Sequence, residues 1–163
     1  MIPFHDLSET PEGIMLRNIV GFLCAVTGAY LFAVLTYSQL NLNRLIELGV
    51  PIGSSQRLFA LTHDVLSMAS AYLPILAVAL LVAFVLAAPV ARRLPRFRSV
   101  GFAFAGAVSV YAVILLLLLL FGTHGITVTR TLPGLISQCM AGALGGYIFA
   151  ALTRAPGAKG AAA

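Results

Sequence analysis

Charged side chains are scarce in this chain. Only 9% of its 163 residues are Asp, Glu, Lys or Arg, and five of these are acidic, whereas soluble domains are about 25% charged. Hydrophobic residues make up 60% of the sequence, and the mean hydropathy is +1.01. A soluble fold cannot bury that much apolar surface. The composition therefore predicts an integral membrane protein.

Cysteine and catalytic motifs are also sparse. The two cysteines, Cys24 and Cys139, form no CxxC arrangement, so neither a disulfide framework nor a zinc site is predicted. We interpret both as small apolar packing residues. The sequence contains no phosphate-binding loop, nucleophile elbow or catalytic dyad. These absences favour a noncatalytic protein.

Uncharged stretches define the predicted membrane spans. Four stretches without a charged residue are long enough to cross a membrane. They contain 26 residues between Arg17 and Arg44, 27 between Asp64 and Arg92, 31 between Arg98 and Arg130, and 23 between Arg130 and Arg154. Roughly 20 residues cross the hydrocarbon core as a helix. We expect an all-α bundle of four transmembrane helices, near 18–41, 65–91, 99–122 and 131–153. We expect residues 1–163 to form a single membrane domain, with a disordered tail near 155–163.

The basic residues predict the orientation of the bundle, because cytoplasmic flanks of membrane helices are enriched in Lys and Arg. Seven basic residues fall on the side of the termini, and three, namely Arg44, Arg57 and Arg130, fall on the other side. Both termini are therefore expected in the cytoplasm, in a bacterial cytoplasmic (inner) membrane. Four basic residues between helices 2 and 3 are candidates for binding lipid headgroups: Arg92, Arg93, Arg96 and Arg98.

The connection between helices 1 and 2 is the longest in the chain. Apolar residues from Leu42 to Leu48 recur near helical spacing among polar ones, which predicts a short amphipathic segment on the outer membrane surface. Ser54 or Ser55 is the expected N-cap of the next helix. Pro74 lies within the predicted second helix, where it removes a backbone hydrogen bond and can kink the helix.

His63 and Asp64 are candidate ligand-binding residues at the outer end of helix 2. Counting about 20 residues outward from the arginine cluster puts the edge of the hydrocarbon core near Ala71, so the pair is expected at headgroup level. His124 and Arg130 emerge on the same side and complete a predicted polar rim. A solvated or salt-bridged helix end is the alternative interpretation of these residues.

A metal site is a further alternative at this rim. Neutral imidazoles from His63 and His124 can ligate haem or a metal ion, and the thioether of Met68 suits copper. No cofactor is predicted, because the sequence has no repeated histidine spacing and no haem attachment motif. Polar residues in the outer half predict a shallow pocket open to the outside: Thr27, Thr36, Ser38, Gln39, Ser67, Ser70, Ser137 and Gln138.

Small residues mark the expected helix-packing faces. Gly142 and Gly146 have GxxxG spacing in helix 4, and Gly21 and Gly28 lie on one side of helix 1. Such residues allow helix backbones to approach closely, within one chain or between chains.

These patterns favour an accessory or scaffold subunit that associates with another membrane protein, or with itself as a homo-oligomer. The lipid bilayer is its other partner, and no nucleic-acid partner is expected. A small transporter or transporter subunit is the alternative, because the size and inferred topology are similar to the small four-helix subunits of binding-protein-dependent secondary transporters. That similarity is one of architecture. A haem-binding, metal-binding or lipid-modifying membrane enzyme is the third possibility.

Overall fold

The computed structural model describes residues 11–49, 53–121 and 131–154. Among these residues, 93% are helical and none lies in a β-strand. The α-helices are α1 (Pro11–Glu47), α2 (Ser54–Ala69), α3 (Tyr72–Arg93), α4 (Arg98–Phe121) and α5 (Leu132–Leu152), and a 3₁₀ turn at Pro95–Phe97 joins α3 to α4.

Four of these helices, α1, α3, α4 and α5, are long and apolar enough to cross a membrane. The 22 residues of α3 give a length of about 33 Å, which matches the hydrocarbon thickness of about 30 Å. The prediction of four membrane-spanning helices is thus confirmed by length and composition. The tail at 155–163 lies outside the described residues.

Helix α5 lies at the centre of the bundle, between α1 and α4, while α3 packs mainly against α4. The buried core includes Val34, Leu80 and the ring of Phe84. Phe84 stacks on Phe149 with ring centroids 4.5 Å apart and meets the edge of Phe102 at 5.7 Å. Aromatic contacts therefore join α3, α4 and α5 near one end of the bundle.

Helix α1 is longer than predicted, because residues 42–47, which were expected in a separate segment, belong to it. Residues 42–47 continue α1 because neither glycine nor proline interrupts the backbone before Gly49. Gly49 has a φ of 86°, and its amide donates to the carbonyl of Ile46 at 2.9 Å. A left-handed glycine of this kind ends a helix without a steric penalty.

The predicted second helix is in fact two helices. Helix α2 ends at Ala69 and α3 begins at Tyr72, so Pro74 occupies the first turn of α3 rather than a helix interior. Proline has no amide hydrogen to donate to the carbonyl four residues earlier, at Ser70, and it is tolerated in a first turn. The N-cap of α2 is Gly53 rather than a serine, and its amide donates to Gln56 Oε1 at 2.9 Å.

Candidate functional site

Glycines bring α4 and α5 into backbone contact. A Cβ atom at Gly142 would overlap the carbonyl oxygen of Gly106, and one at Gly146 would overlap the carbonyl oxygen of Phe102. The GxxxG pair on α5 thus faces a glycine on α4 within the same chain. Close approach of this kind replaces side-chain packing by dense van der Waals contact between backbones.

The small residues of α1 also pack within the chain. A Cβ at Gly21 would come 2.8 Å from Cγ2 of Thr153, and one at Gly28 would come 2.6 Å from Cδ1 of Ile148. Gly145 faces Ala29 on the same helix pair. Both predicted small-residue faces therefore lie against other helices of their own chain, so neither is open to a partner.

A groove between α3 and α4 remains on the outside of the bundle. Its volume is about 890 Å³, and small side chains from both helices form its floor: Ala79, Ala83, Ala87, Ala105 and Ser109. Larger aliphatic side chains that stand exposed line its walls: Val78, Val82, Leu86, Val108 and Leu116. The hydroxyl of Ser109 donates to Gly106 of its own helix at 2.9 Å. The groove therefore presents an apolar surface.

Buried hydrogen bonds join three helices, α1, α3 and α5. The Tyr72 hydroxyl donates to Gln138 Oε1 at 2.8 Å, and Gln138 Nε2 donates to the carbonyl of Ala33 at 3.2 Å. Gln138 and Ser38 are each 1% exposed, so these two polar side chains lie inside the bundle rather than in an outward-opening pocket. The sequence pattern could not predict these hydrogen bonds, because Gln138 is 66 residues from Tyr72 and 105 residues from Ala33.

The predicted outer rim is described only in part. His63 is exposed on α2 and stacks with Phe59, with ring centroids 6.5 Å apart, and Asp64 is half-buried on the same helix. Met68 is partly buried and packs against the core. His124 and Arg130 lie outside the described residues. The shared ligand site of the four side chains stays a prediction.

Arginines gather at the opposite end of the bundle. Arg98 donates to the carbonyl of Ala150 at 3.2 Å and to Oγ1 of Thr153 at 2.5 Å. Its guanidinium also lies 5.5 Å from the centroid of Phe102. Arg98 therefore binds the C-terminal end of α5, a contact that the sequence pattern did not predict.

The other three arginines predicted to meet lipid headgroups have exposed side chains: Arg92, Arg93 and Arg96. Arg154 donates to Ser99 Oγ at 2.9 Å at the same end. Arg44, by contrast, donates to Thr131 Oγ1 at 2.7 Å, beside the start of α5. The basic residues thus form two groups at opposite ends of the bundle.

Metal ligands do not cluster in the part of the chain that the structure describes. No group of three or more His, Cys, Asp or Glu side chains comes together there. Binding of haem or copper by His63, His124 and Met68 stays a hypothesis that rests on the residue types alone.

No known family model, curated protein or solved structure matches this chain. Two surfaces are suited to binding: the apolar groove between α3 and α4, and the arginine-rich end near the C-terminus of α5.

Proposed function

We propose that the protein is a noncatalytic accessory subunit of a bacterial cytoplasmic membrane, with both termini in the cytoplasm, and that it packs against another membrane protein. Its binding surface is the groove between α3 and α4. The single observation that supports this function is the shape of the groove, an apolar channel with a floor of small residues and walls of exposed aliphatic side chains.

The occupant is a transmembrane helix of the partner. Small residues on facing helices let a third helix insert a ridge of larger side chains, which is how helices associate in lipid. The glycine faces of α1 and α5 are already covered within the chain. The α3–α4 groove is therefore the surface of small residues on which we expect the partner to pack.

Photocrosslinking in living cells tests this function. A photoreactive amino acid replaces Ala79 or Ala112, which both line the groove, or Val100, which is 66% exposed elsewhere on α4. We expect one discrete protein adduct from both groove positions and none from Val100, because only the groove holds the partner helix.

A groove-filling variant makes the crosslinking result specific. Ala105→Leu places extra side-chain volume on the groove floor, and we expect it to lower the adduct yield by about fivefold or more. Gly101→Leu is the matched control, and it should leave the yield unchanged. Among the described residues, no atom beyond the adjacent backbone of its own helix lies within 4 Å of a Cβ at Gly101. Thermal unfolding checks that both variants remain folded.

Three outcomes decide against the proposal. An adduct of about twice the 17.1 kDa chain mass would identify a second copy as the occupant. Lipid adducts alone would make the groove a lipid surface. An adduct that persists in the folded Ala105→Leu variant would place the partner elsewhere.

A further inference from the structure

A cleft of about 1400 Å³ opens at the arginine-rich end of the bundle. Five arginines from α1, α3, the 3₁₀ turn, α4 and the segment after α5 line it: Arg17, Arg92, Arg96, Arg98 and Arg154. We call this feature the arginine cleft. It is separate from the α3–α4 groove, with which it shares no lining residue.

Among the described residues, the walls of the arginine cleft carry positive charge without a carboxylate to balance it. None of the described residues that line the cleft is Asp or Glu. Arg17 and Arg154 lie close enough to Arg98 for mutual repulsion. Guanidinium groups that lie close together repel one another, which costs free energy at a membrane surface unless an anion lies among them.

Arg17 has a vacant hydrogen-bond donor at this position. Its Nε atom is buried and has no hydrogen-bond partner in the described part of the chain. A buried donor without an acceptor costs free energy. Arg17 lines the cleft, and the other N–H groups of its guanidinium are suited to bind a phosphate oxygen. Arg98 and Arg154, by contrast, already donate to Thr153 and Ser99.

The rest of the cleft is apolar and suited to a hydrocarbon chain. Phe22, Phe84 and Phe149 form an aromatic wall, and Leu81 and Val85 extend it along α3 toward the centre of the span. Inorganic phosphate has no part that fits such a wall, whereas the acyl chain of a lipid does.

We propose that the arginine cleft binds one anionic phospholipid, with the phosphate on Arg17 and Arg92 and an acyl chain along the phenylalanine wall. Basic pockets between transmembrane helices are known to hold anionic headgroups in this way. This site does not depend on the partner that the α3–α4 groove binds, so either proposal can fail alone.

Lipid binding to the purified full chain tests the site. Native mass spectrometry in detergent counts bound lipids during titration with phosphatidylglycerol or phosphatidylcholine of the same chain length, with inorganic phosphate as competitor. We expect one tightly retained phosphatidylglycerol, preferred by about tenfold or more over phosphatidylcholine and not displaced by phosphate.

Two adjacent arginines supply a matched pair of variants. The sequence grouped both as headgroup candidates, but only Arg92 lines the cleft, although both side chains are exposed at the end of α3. Arg17→Gln and Arg92→Gln should each weaken phosphatidylglycerol binding by about tenfold, while Arg93→Gln should change it by less than about twofold. Arg92→Gln keeps the test valid if Arg17→Gln fails to fold.

Equal binding of the two lipids would overturn the proposal. An equal loss in Arg92→Gln and Arg93→Gln would show diffuse surface charge rather than a site. Displacement by inorganic phosphate would show an anion site without a lipid chain.

Discussion

Replacing Gly146 by leucine is expected to lower the free energy of unfolding by about 3 kcal/mol or more. A Cβ at this position already overlaps the carbonyl group of Phe102 and lies 2.9 Å from Cα of Ala103. These atoms belong to helix backbone and cannot rotate away, so α4 and α5 must separate. Thermal unfolding in detergent should show a midpoint lower by roughly 6–12 °C.

Gly101→Leu is the control for this substitution. It makes the same change on α4, but among the described residues no atom beyond the adjacent backbone of its own helix lies within 4 Å of a Cβ there. The midpoint should therefore stay within about 2 °C of that of the unmodified chain. Equal midpoints for Gly146→Leu and Gly101→Leu would contradict the backbone contact between α4 and α5.

Replacing Arg98 by alanine is expected to cost about 2 kcal/mol in the free energy of unfolding. The guanidinium binds two oxygen atoms at the end of α5, on Ala150 and Thr153, and lies against the ring of Phe102. Thr153 is only 5% exposed, so its hydroxyl loses a charged partner without gaining water. Unfolding in a denaturing detergent series gives the change.

Arg93→Ala provides the comparison for Arg98→Ala. It removes the same charge from an exposed side chain, and surface charges of this kind contribute little to stability. We expect a change below about 0.5 kcal/mol. Similar losses in the two variants would mean that Arg98 acts through net charge rather than through its contacts with α5.

The sequence predicted the number of spanning helices because hydrophobic length depends only on neighbouring residues. The predicted helix boundaries are wrong where a proline or a glycine, rather than hydropathy, decides where a helix begins or ends. The apolar pattern runs through residues 65–91, yet Pro74 lies just after a break that separates α2 from α3. Hydropathy also suggested a separate segment at 42–48, whereas α1 continues to Glu47, two residues before the left-handed Gly49.

The sequence predicted that close helix contacts form, but not which distant residues make them. The GxxxG spacing indicated a close helix contact, but Gly106, which Gly142 meets, stands in an otherwise ordinary apolar helix. Arg98 looked like a headgroup ligand, because its partners are more than 50 residues away on α5. Pairing of this kind depends on how the helices assemble, which local spacing does not encode.

The sidedness of the membrane is the most direct test, since the proposed function places both termini, and with them the arginine end of the bundle, in the cytoplasm. A reporter that is active only in the cytoplasm is fused after Arg154, inserted after Leu94, or inserted after Gly53 between α1 and α2. The excess of basic residues predicts activity at Arg154 and Leu94 and none at Gly53. Activity at Gly53 with silence at the other two positions would contradict the proposed orientation.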